Sequence, residues 1–189
     1  MAGNAFTAGV KRGGLTTTTE IKILICYMIK SVRSPLSHKD IADALVSAEL
    51  ANFFEIPTVI AQLVSSGHIK DENGTFKLTK MGENMADLLE TDLPLTAREA
   101  ALNAVLSILS YNTKKSQHQC EITPAKNGFT LFCRMEEMGE EIFSFKLNLP
   151  DIATAEYAKK CFVENGADVY KLVLAGLTGE KTLAEGFFK

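Results

Sequence analysis

The sequence predicts an α+β protein with two parts, and three observations support this fold class. Residues 17–111 carry apolar side chains at helical spacing, interrupted by one Asn-Gly turn between short strand-like runs. From Gln119 onward apolar and polar residues alternate, which is the period of a β-strand, and residues 151–177 return to helical spacing. We therefore expect an N-terminal helical domain with a hairpin, then a helical linker and a small three-stranded antiparallel sheet packed with C-terminal helices.

Composition favours a soluble globular protein. The 189 residues are 46% apolar and carry a formal net charge of -3, which is typical of a domain with a hydrophobic core. No apolar run approaches the roughly 20 residues that span a bilayer, and Met1–Thr16 lacks the apolar segment of a secretory signal. We expect a cytoplasmic protein with no membrane partner. The predicted division is a flexible arm at residues 1–16, the hairpin-containing domain at 17–93, a second domain at 94–178 and a tail at 179–189.

Apolar stripes and capping signals define the first three helices. Thr17 and Glu20 have the spacing of a capping box at the start of the first helix. Ser37 can cap the second helix, with Asp40 three residues further on. Gly67 is expected to end the third helix as a left-handed cap. The predicted bounds are Thr18–Val32 for the first helix, Ser37 to Ser47 or Glu49 for the second, and Ile56–Gly67 for the third.

The segment after the third helix is the most diagnostic in the sequence. Asn73-Gly74 lies between two runs of strand-forming residues, and both turn residues favour the positive φ of a tight hairpin. Thr79 then caps a fourth helix, predicted at Lys80–Thr91. Three helices, a hairpin and a further helix are the order of the winged helix-turn-helix. In that fold the third helix faces a DNA major groove, and the hairpin, or wing, lies beside it.

The second half of the chain has the pattern of a sheet with one buried face. Phe143 and Phe145 alternate with Ser144 and Lys146. Two helices, interrupted at Asn165-Gly166, are expected to cover the apolar face. The predicted bounds are Thr96–Tyr111 for the fifth helix, Asn112–His118 for a polar loop, Gln119–Thr123, Phe129–Met135 and Glu141–Leu149 for the strands, and Asp151–Phe162 and Ala167–Leu177 for the last helices.

Several motifs resemble those of a known family. They are Glu20–Tyr27, Ser34–Ser37, Asn52–Phe54, Leu63–Ile69 and Phe76–Gly82. On these motifs the chain resembles an uncharacterised bacterial winged-helix family, a domain of unknown function, over residues 17–178. The last two motifs, Leu-x-x-x-Gly-x-Ile followed by Leu-Thr-x-x-Gly, more loosely resemble the PadR and MarR regulators. The resemblance implies a bacterial transcriptional regulator that acts as a dimer.

The candidate DNA-binding residues follow from the geometry of the winged helix. Amide side chains can read adenine edges, and those of Asn52 and Gln62 lie away from the apolar stripe of the third helix. Basic side chains and helix N-termini hold phosphates. The alternative for each candidate is an ordinary solvated side chain. The full set is Lys11 and Arg12 of the arm, Ser37, His38 and Lys39 of the second helix, Asn52, Thr58 and Gln62 of the third, and Lys70, Asn73 and Lys77 of the wing.

The charge distribution leaves two functions open. No Lys or Arg lies between Lys39 and Lys70, and four acidic residues fall in that window. Phosphate neutralisation dominates affinity for nucleic acids, so the charge must come from other segments. Residues 1–40 hold six basic and two acidic side chains. We predict a dimeric transcriptional regulator that binds double-stranded DNA. The alternative is a winged helix that contacts another protein and binds no DNA.

No enzyme motif is present in the sequence. It contains no Gly-rich phosphate loop, no G-x-S-x-G and no H-E-x-x-H, so we predict no enzyme activity, no cofactor and no metal site. Apolar residues of the fourth and fifth helices, such as Leu88 and Ile108, are expected at the two-fold interface of a homodimer. The second domain is expected to serve dimerisation and packing. A small effector bound between its sheet and helices is the alternative.

The four cysteines show no metal-binding arrangement. Cys26, Cys120, Cys133 and Cys161 lie in apolar stretches, without a C-x-x-C pair or a His at metal-ligand spacing. We expect four reduced, mostly buried thiols. A redox pair of Cys120 and Cys133 is the alternative, since both are expected on adjacent strands. No basic residue flanks Cys120 in the sequence to lower its pKa.

Overall fold

Six α-helices and two three-stranded antiparallel sheets make up residues 5–185, the part of the chain that the computed structural model describes. Residues 1–4 of the predicted arm and 186–189 of the predicted tail lie outside it. The predicted α+β class is confirmed. The elements are α1 (Thr18–Val32), β1 (Leu36–Ser37), α2 (His38–Ser47), α3 (Glu55–Ser65), β2 (Ile69–Glu72), β3 (Thr75–Leu78), α4 (Lys80–Leu89), α5 (Leu95–Gln117), β4 (His118–Ala125), β5 (Gly128–Glu137), β6 (Glu140–Leu149) and α6 (Ile152–Thr178).

The chain divides into two units, Met1–Leu109 (unit 1) and Ser110–Lys189 (unit 2). Their boundary falls inside α5, whereas the sequence predicts a boundary at residue 93. Helical spacing continues across Leu109 because α5 is one uninterrupted helix. The pattern of apolar residues therefore does not indicate the boundary between the two units.

α1 forms the centre of the unit 1 core. Ile21, Leu24, Ile25 and Met28 are fully buried, because their spacing places them where α3, α4 and β3 contact this helix. Burying side chains of this size contributes about 1.5–3 kcal/mol each. The predicted bounds of α1 are confirmed.

A capping box starts α1, as predicted. Glu20 N donates to Thr17 Oγ1 at 3.2 Å, and Thr17 N donates to Glu20 Oε2 at 2.9 Å. The amide of Thr16 donates to the same carboxylate oxygen at 2.9 Å. Burial opposes ionisation of Glu20, but these amides and the two threonine hydroxyls hold its pKa below the ordinary value of 4.5.

We expect Glu20→Gln to lower the free energy of unfolding by about 0.5–1 kcal/mol at pH 7. Because the folded pKa of Glu20 is lowered, its stabilising effect is present above pH 4.5 and is lost as the pH falls through the folded value. Urea titrations of wild type and variant should therefore converge at low pH. Glu156→Gln, at an exposed position of α6, is the control. A gap between wild type and Glu20→Gln that is independent of pH would contradict the prediction.

The predicted hairpin is present and belongs to a larger sheet. β2 and β3 pair antiparallel, with Lys70 opposite Lys77. Asn73 and Gly74 adopt φ values of 56° and 85°, as the two-residue turn requires. The sequence analysis missed β1, whose Leu36 pairs with β3. This two-residue strand completes a sheet in the order β1-β3-β2. The protein therefore has a second three-stranded sheet in addition to the predicted one.

Residues 5–16 lie against the turn between α2 and α3, whereas the sequence predicts a flexible arm. Leu15 is buried, and its N–H donates to the carbonyl oxygen of Leu50 at 2.9 Å. Lys11 N donates to the carbonyl oxygen of Glu49, also at 2.9 Å. These are backbone bonds to residues far along the chain, so the composition of the segment does not reveal them.

α5 continues to Gln117, and the predicted polar loop at Asn112–His118 was wrong. Polar residues at an exposed helix end remove the apolar period without breaking the helix, and no Gly or Pro lies between Thr96 and Gln117. Lys114 Nζ also donates to the carbonyl oxygen of Glu164 at 3.0 Å. β4 then begins directly at His118.

α6 covers one face of the unit 2 sheet, whose strand order is β4-β5-β6. Leu131, Cys133 and Phe162 form the centre of this core. The predicted interruption is present as a non-helical Asn165, with φ -126° and ψ 20°, but the helix resumes at once. Gly166 is buried there against the His118 ring. A larger residue would not fit, because a Cβ would lie 2.8 Å from that ring. No helix within residues 5–185 is long and apolar enough to cross a membrane.

Candidate nucleic-acid interface

α3 presents an uncharged polar face to solvent. Thr58 and Gln62 are exposed, and neither side chain forms a hydrogen bond with the described residues. The helix ends as predicted, because Gly67 has a left-handed φ of 74° and lets His68 N reach the carbonyl oxygen of Leu63 at 2.9 Å. The buried stripe on the opposite face is Ile56, Val59, Ile60 and Leu63.

The amide of Asn52 is engaged inside unit 1. Its Nδ2 donates to the carbonyl oxygen of Ala8 at 2.5 Å, and its Oδ1 accepts from Phe54 N at 2.9 Å. Asn52 therefore links the N-terminal segment to the start of α3. Reading an adenine edge, as the sequence predicts, would compete with these two bonds.

The N-terminus of α2 already holds a carboxylate. Ser37 donates to Asp40 Oδ2 from its N at 2.9 Å and from its Oγ at 2.6 Å, and Asp40 N donates back to Ser37 Oγ at 3.1 Å. A phosphate at this end would meet the charge of Asp40. The expected phosphate site at Ser37 is therefore occupied by the protein itself. His38 and Lys39 beside it are exposed.

The hairpin carries the basic side chains nearest to α3 along the chain. Lys70 and Lys77 face each other across β2 and β3, and both are exposed. Lys77 Nζ lies 2.5 Å from Glu72 Oε2, whereas Lys70 forms no ion pair with the side chains that the structure describes. Asn73 is exposed at the tip, where Asp71 Oδ1 accepts from Gly74 N at 2.8 Å.

The N-terminal segment borders the start of α3. Phe6 N donates to Glu55 Oε1 at 3.0 Å, so the acidic residue in the first turn of α3 is engaged with the backbone of that segment. Lys11 and Arg12 lie further along it and are exposed. The structure thus places these two predicted basic residues beside the turn that leads into α3.

An aromatic cluster is exposed at the same end of α3. The rings of Phe53 and Phe54 contact edge to face, with centroids 5.7 Å apart. Phe54 is 75% exposed, and Phe6 is exposed as well. Exposed aromatic groups of this kind are typical of contact surfaces. Phe53 and Phe54 belong to one of the motifs that carry the family resemblance, but their pattern in the sequence does not indicate a role.

Arg33 is a basic residue that the sequence analysis missed. It caps α1 in a left-handed conformation, with φ 54°, and is exposed. With Lys77 it lines a cavity of about 360 Å³ beside the hairpin. Lys30 of the same cavity is paired with Asp87. The sequence carries no signal for this role, because β1, which follows Arg33 and pairs with β3, is too short to be predicted.

Unit 2 contains an apolar groove of about 710 Å³ between β6 and α6. It has the size of small-molecule sites, and none of its lining side chains is charged. Its main walls are Phe143, Phe145, Leu147, Phe162, Val169 and Val173. Within residues 5–185, no three His, Cys, Asp or Glu side chains lie together as a metal site would require.

These features define a mixed α+β protein whose unit 1 combines an exposed helix face without basic residues with a hairpin that carries Lys70 and Lys77. The chain belongs to the family described as a domain of unknown function (DUF4364), which matches residues 21–177. The family resemblance, predicted for residues 17–178, is confirmed to that extent. No curated protein and no solved structure matches the sequence.

Proposed function

We propose that unit 1 is a winged helix-turn-helix domain and that the protein is a dimeric, DNA-binding transcriptional regulator of the bacterial cytoplasm. The observation that carries this proposal is the setting of α3. Its exposed face offers Thr58 and Gln62 without hydrogen-bond partners among the described residues, and the hairpin with Lys70 and Lys77 follows directly. The order of elements and the closing strand β1 agree with this domain class.

The proposed interactions with DNA divide into two kinds. Gln62 and Thr58 would meet base edges, since neutral polar groups read hydrogen-bond patterns in the major groove. Lys11, Arg12 and Lys70 would meet phosphates, which fix the register without reading sequence. Lys77 and Arg33 would extend the phosphate-binding surface along the hairpin. The absence of Lys and Arg from α3 is compatible with this division, because Lys11, Arg12 and Lys70 lie in the flanking segments.

A homodimer would double this surface. Met81 of α4 is 54% exposed, Leu88 of α4 is 76% exposed, and Leu106 of α5 is 52% exposed. Apolar side chains left in water on successive helices favour a two-fold interface. Ile108, expected at the interface from sequence, packs against the unit 1 core instead. Light scattering at micromolar concentration should give twice the chain mass, and a monomer would contradict the dimer.

Fluorescence anisotropy with duplex DNA tests the proposal. We expect binding at low salt, with log K falling linearly against log of salt concentration with a slope of about -0.9 per phosphate neutralised. For a dimer that neutralises three or more phosphates per protomer, that slope is about -5 or steeper. No binding to random or genomic duplexes at low salt would contradict DNA binding.

Contact with another protein is the second candidate, and the exposed Phe53 and Phe54 favour it. A double substitution to Ser separates the two functions. Under the DNA proposal, Phe53→Ser/Phe54→Ser keeps most of the affinity for duplex DNA, since phosphate neutralisation dominates. If wild type fails to bind DNA and the double variant loses a protein partner that wild type captures, the protein-contact function is correct.

The groove of unit 2 would take an uncharged, largely apolar effector. We propose this role because the lining side chains carry no charge and burial of apolar surface would supply the affinity. An environment-sensitive apolar dye should bind to the full-length protein, and Phe145→Asp should remove that binding. Equal dye binding by wild type and variant would contradict a ligand site in the groove.

A further inference from the structure

Two thiols of unit 2 are in direct contact. Cys120 of β4 and Cys133 of β5 are directly opposite in the sheet, and their Sγ atoms lie 3.1 Å apart. Opposite residues of antiparallel strands have Cα atoms about 4.5–5.5 Å apart. That separation lies within the Cα range of disulfides, about 4.4–6.8 Å. The register and the contact between the two sulfurs are therefore compatible with a disulfide.

We propose that Cys120 and Cys133 form a reversible redox site, in which a peroxide converts the two thiols into a disulfide that links β4 to β5. This inference is independent of DNA binding, because it concerns only residues of unit 2. It replaces the expectation of four reduced, mostly buried thiols with the alternative of a redox pair at Cys120 and Cys133.

The two cysteines have different roles because their surroundings differ. Cys120 is partly exposed, whereas Cys133 is fully buried. The Cys133 thiol donates a hydrogen bond that lowers the pKa of Cys120 against the opposing effect of burial, and the charge of Lys159 adds to the lowering. The same hydrogen bond, with burial, raises the pKa of Cys133. Cys120 is therefore the attacking thiolate and Cys133 the resolving thiol.

The reaction balances in two steps. The Cys120 thiolate attacks one peroxide oxygen, the O–O bond breaks, and hydroxide leaves, so Cys120 becomes a sulfenic acid. Cys133 sulfur then attacks the Cys120 sulfur, the S–O bond breaks, and the thiol proton leaves with the hydroxyl as water. The two sulfurs lose two electrons in total, and the peroxide gains them. An external dithiol reverses the change by thiol–disulfide exchange.

The other two cysteines lack this arrangement. Burial raises the pKa of Cys26 to about 12, and the nearest sulfur to its Sγ is that of Met85, at 3.9 Å. Cys161 lies on α6 and lines the apolar groove. Neither has a thiol within hydrogen-bond distance among the described residues. Oxidation should therefore select the pair on β4 and β5.

Treatment of the reduced full-length protein with hydrogen peroxide tests the site. Thiols titrated after denaturation should fall from four to two, and peptide mapping should find one link within the chain, between Cys120 and Cys133. Dithiothreitol should restore all four thiols. Four thiols after peroxide, or a link that contains Cys161 or joins two chains, would overturn the proposal.

Three variants separate the roles of the cysteines. Cys120→Ser should form no link, and Cys161→Ser, the matched control, should form the same link as wild type. In Cys133→Ser, which keeps a hydrogen-bond donor beside Cys120, the reaction should stop at the sulfenic acid of Cys120, which dimedone traps. If Cys133→Ser folds poorly, the comparison of Cys120→Ser with Cys161→Ser still tests the assignment. Equal loss of thiols in these two variants would contradict the assignment.

Discussion

We expect Gly82→Ala to destabilise unit 1 by about 3 kcal/mol, the upper end of the cost of overpacking. Gly82 is buried in the first turn of α4, and a Cβ at this position would overlap the carbonyl oxygen of His68. That oxygen is fixed, because it accepts from Thr79 N at 3.0 Å and from Thr79 Oγ1 at 3.1 Å. Leu78 Cδ2, at 2.8 Å from the same Cβ, closes the other side.

Urea unfolding followed by circular dichroism measures this effect. The matched control is Gly176→Ala in α6, where a Cβ would meet nothing within 4 Å. The control should gain about 0.5–1 kcal/mol, because Ala is the better helix former. If Gly82→Ala were as stable as wild type, the close approach of α4 to His68, between α3 and β2, would not exist as described.

We expect removal of four basic side chains to lower affinity for duplex DNA by at least about 100-fold at fixed salt. A hydrogen bond to a charged group contributes about 1.5–3 kcal/mol, and each 1.4 kcal/mol is about tenfold in Kd. The slope of log K against log salt should also become shallower by about one for each phosphate that is no longer neutralised. The substituted residues, each changed to Ala, are Lys11, Arg12, Lys70 and Lys77.

The control for this variant removes the same charge from unit 2. The four lysines substituted in the control are exposed and lie outside the proposed interface, so affinity should fall by less than about threefold, the effect of net charge alone. Equal losses of affinity in the two variants would show that only net charge matters and that unit 1 has no defined phosphate-binding surface. The control substitutions, each to Ala, are Lys126, Lys146, Lys160 and Lys181.

Local signals explain which elements the sequence predicts correctly. The bounds of α1 are correct because the Thr17–Glu20 capping box lies within one turn and needs no distant partner. The hairpin is correct for the same reason, since Asn73-Gly74 sets its turn by backbone preference. The left-handed Gly67 likewise fixes the end of α3.

Interactions between distant residues explain what the sequence does not reveal. Residues 5–16 are held in place by backbone hydrogen bonds to Glu49 and Leu50. Such bonds do not depend on the side chains of the segment, so its composition does not predict them. β1 is too short for an alternating pattern and exists only because β3 lies beside it. Lys159 acts on Cys120 from a different element, so the residues that flank Cys120 in the chain do not indicate a lowered pKa.

The exposure of the candidate residues is predictable from the sequence only in part. Thr58, Gln62 and the two hairpin lysines are exposed, as expected for residues on the outward side of α3 and of the hairpin. Asn52 and Ser37 have the chemistry for a DNA contact, but each is engaged in bonds inside unit 1. A polar side chain near a helix start can bond to the protein's own backbone as readily as it can bind a ligand. Only the structure distinguishes these two roles.

Selection of bound fragments from genomic DNA by the purified protein tests the central claim, that α3 reads DNA sequence. Wild type should enrich a recurring motif arranged as an inverted repeat, as a two-fold dimer requires. Gln62→Glu, which keeps the shape of the side chain and adds a negative charge, should lose that enrichment while remaining folded. No recurring motif with wild type, or the same motif with Gln62→Glu, would contradict the claim.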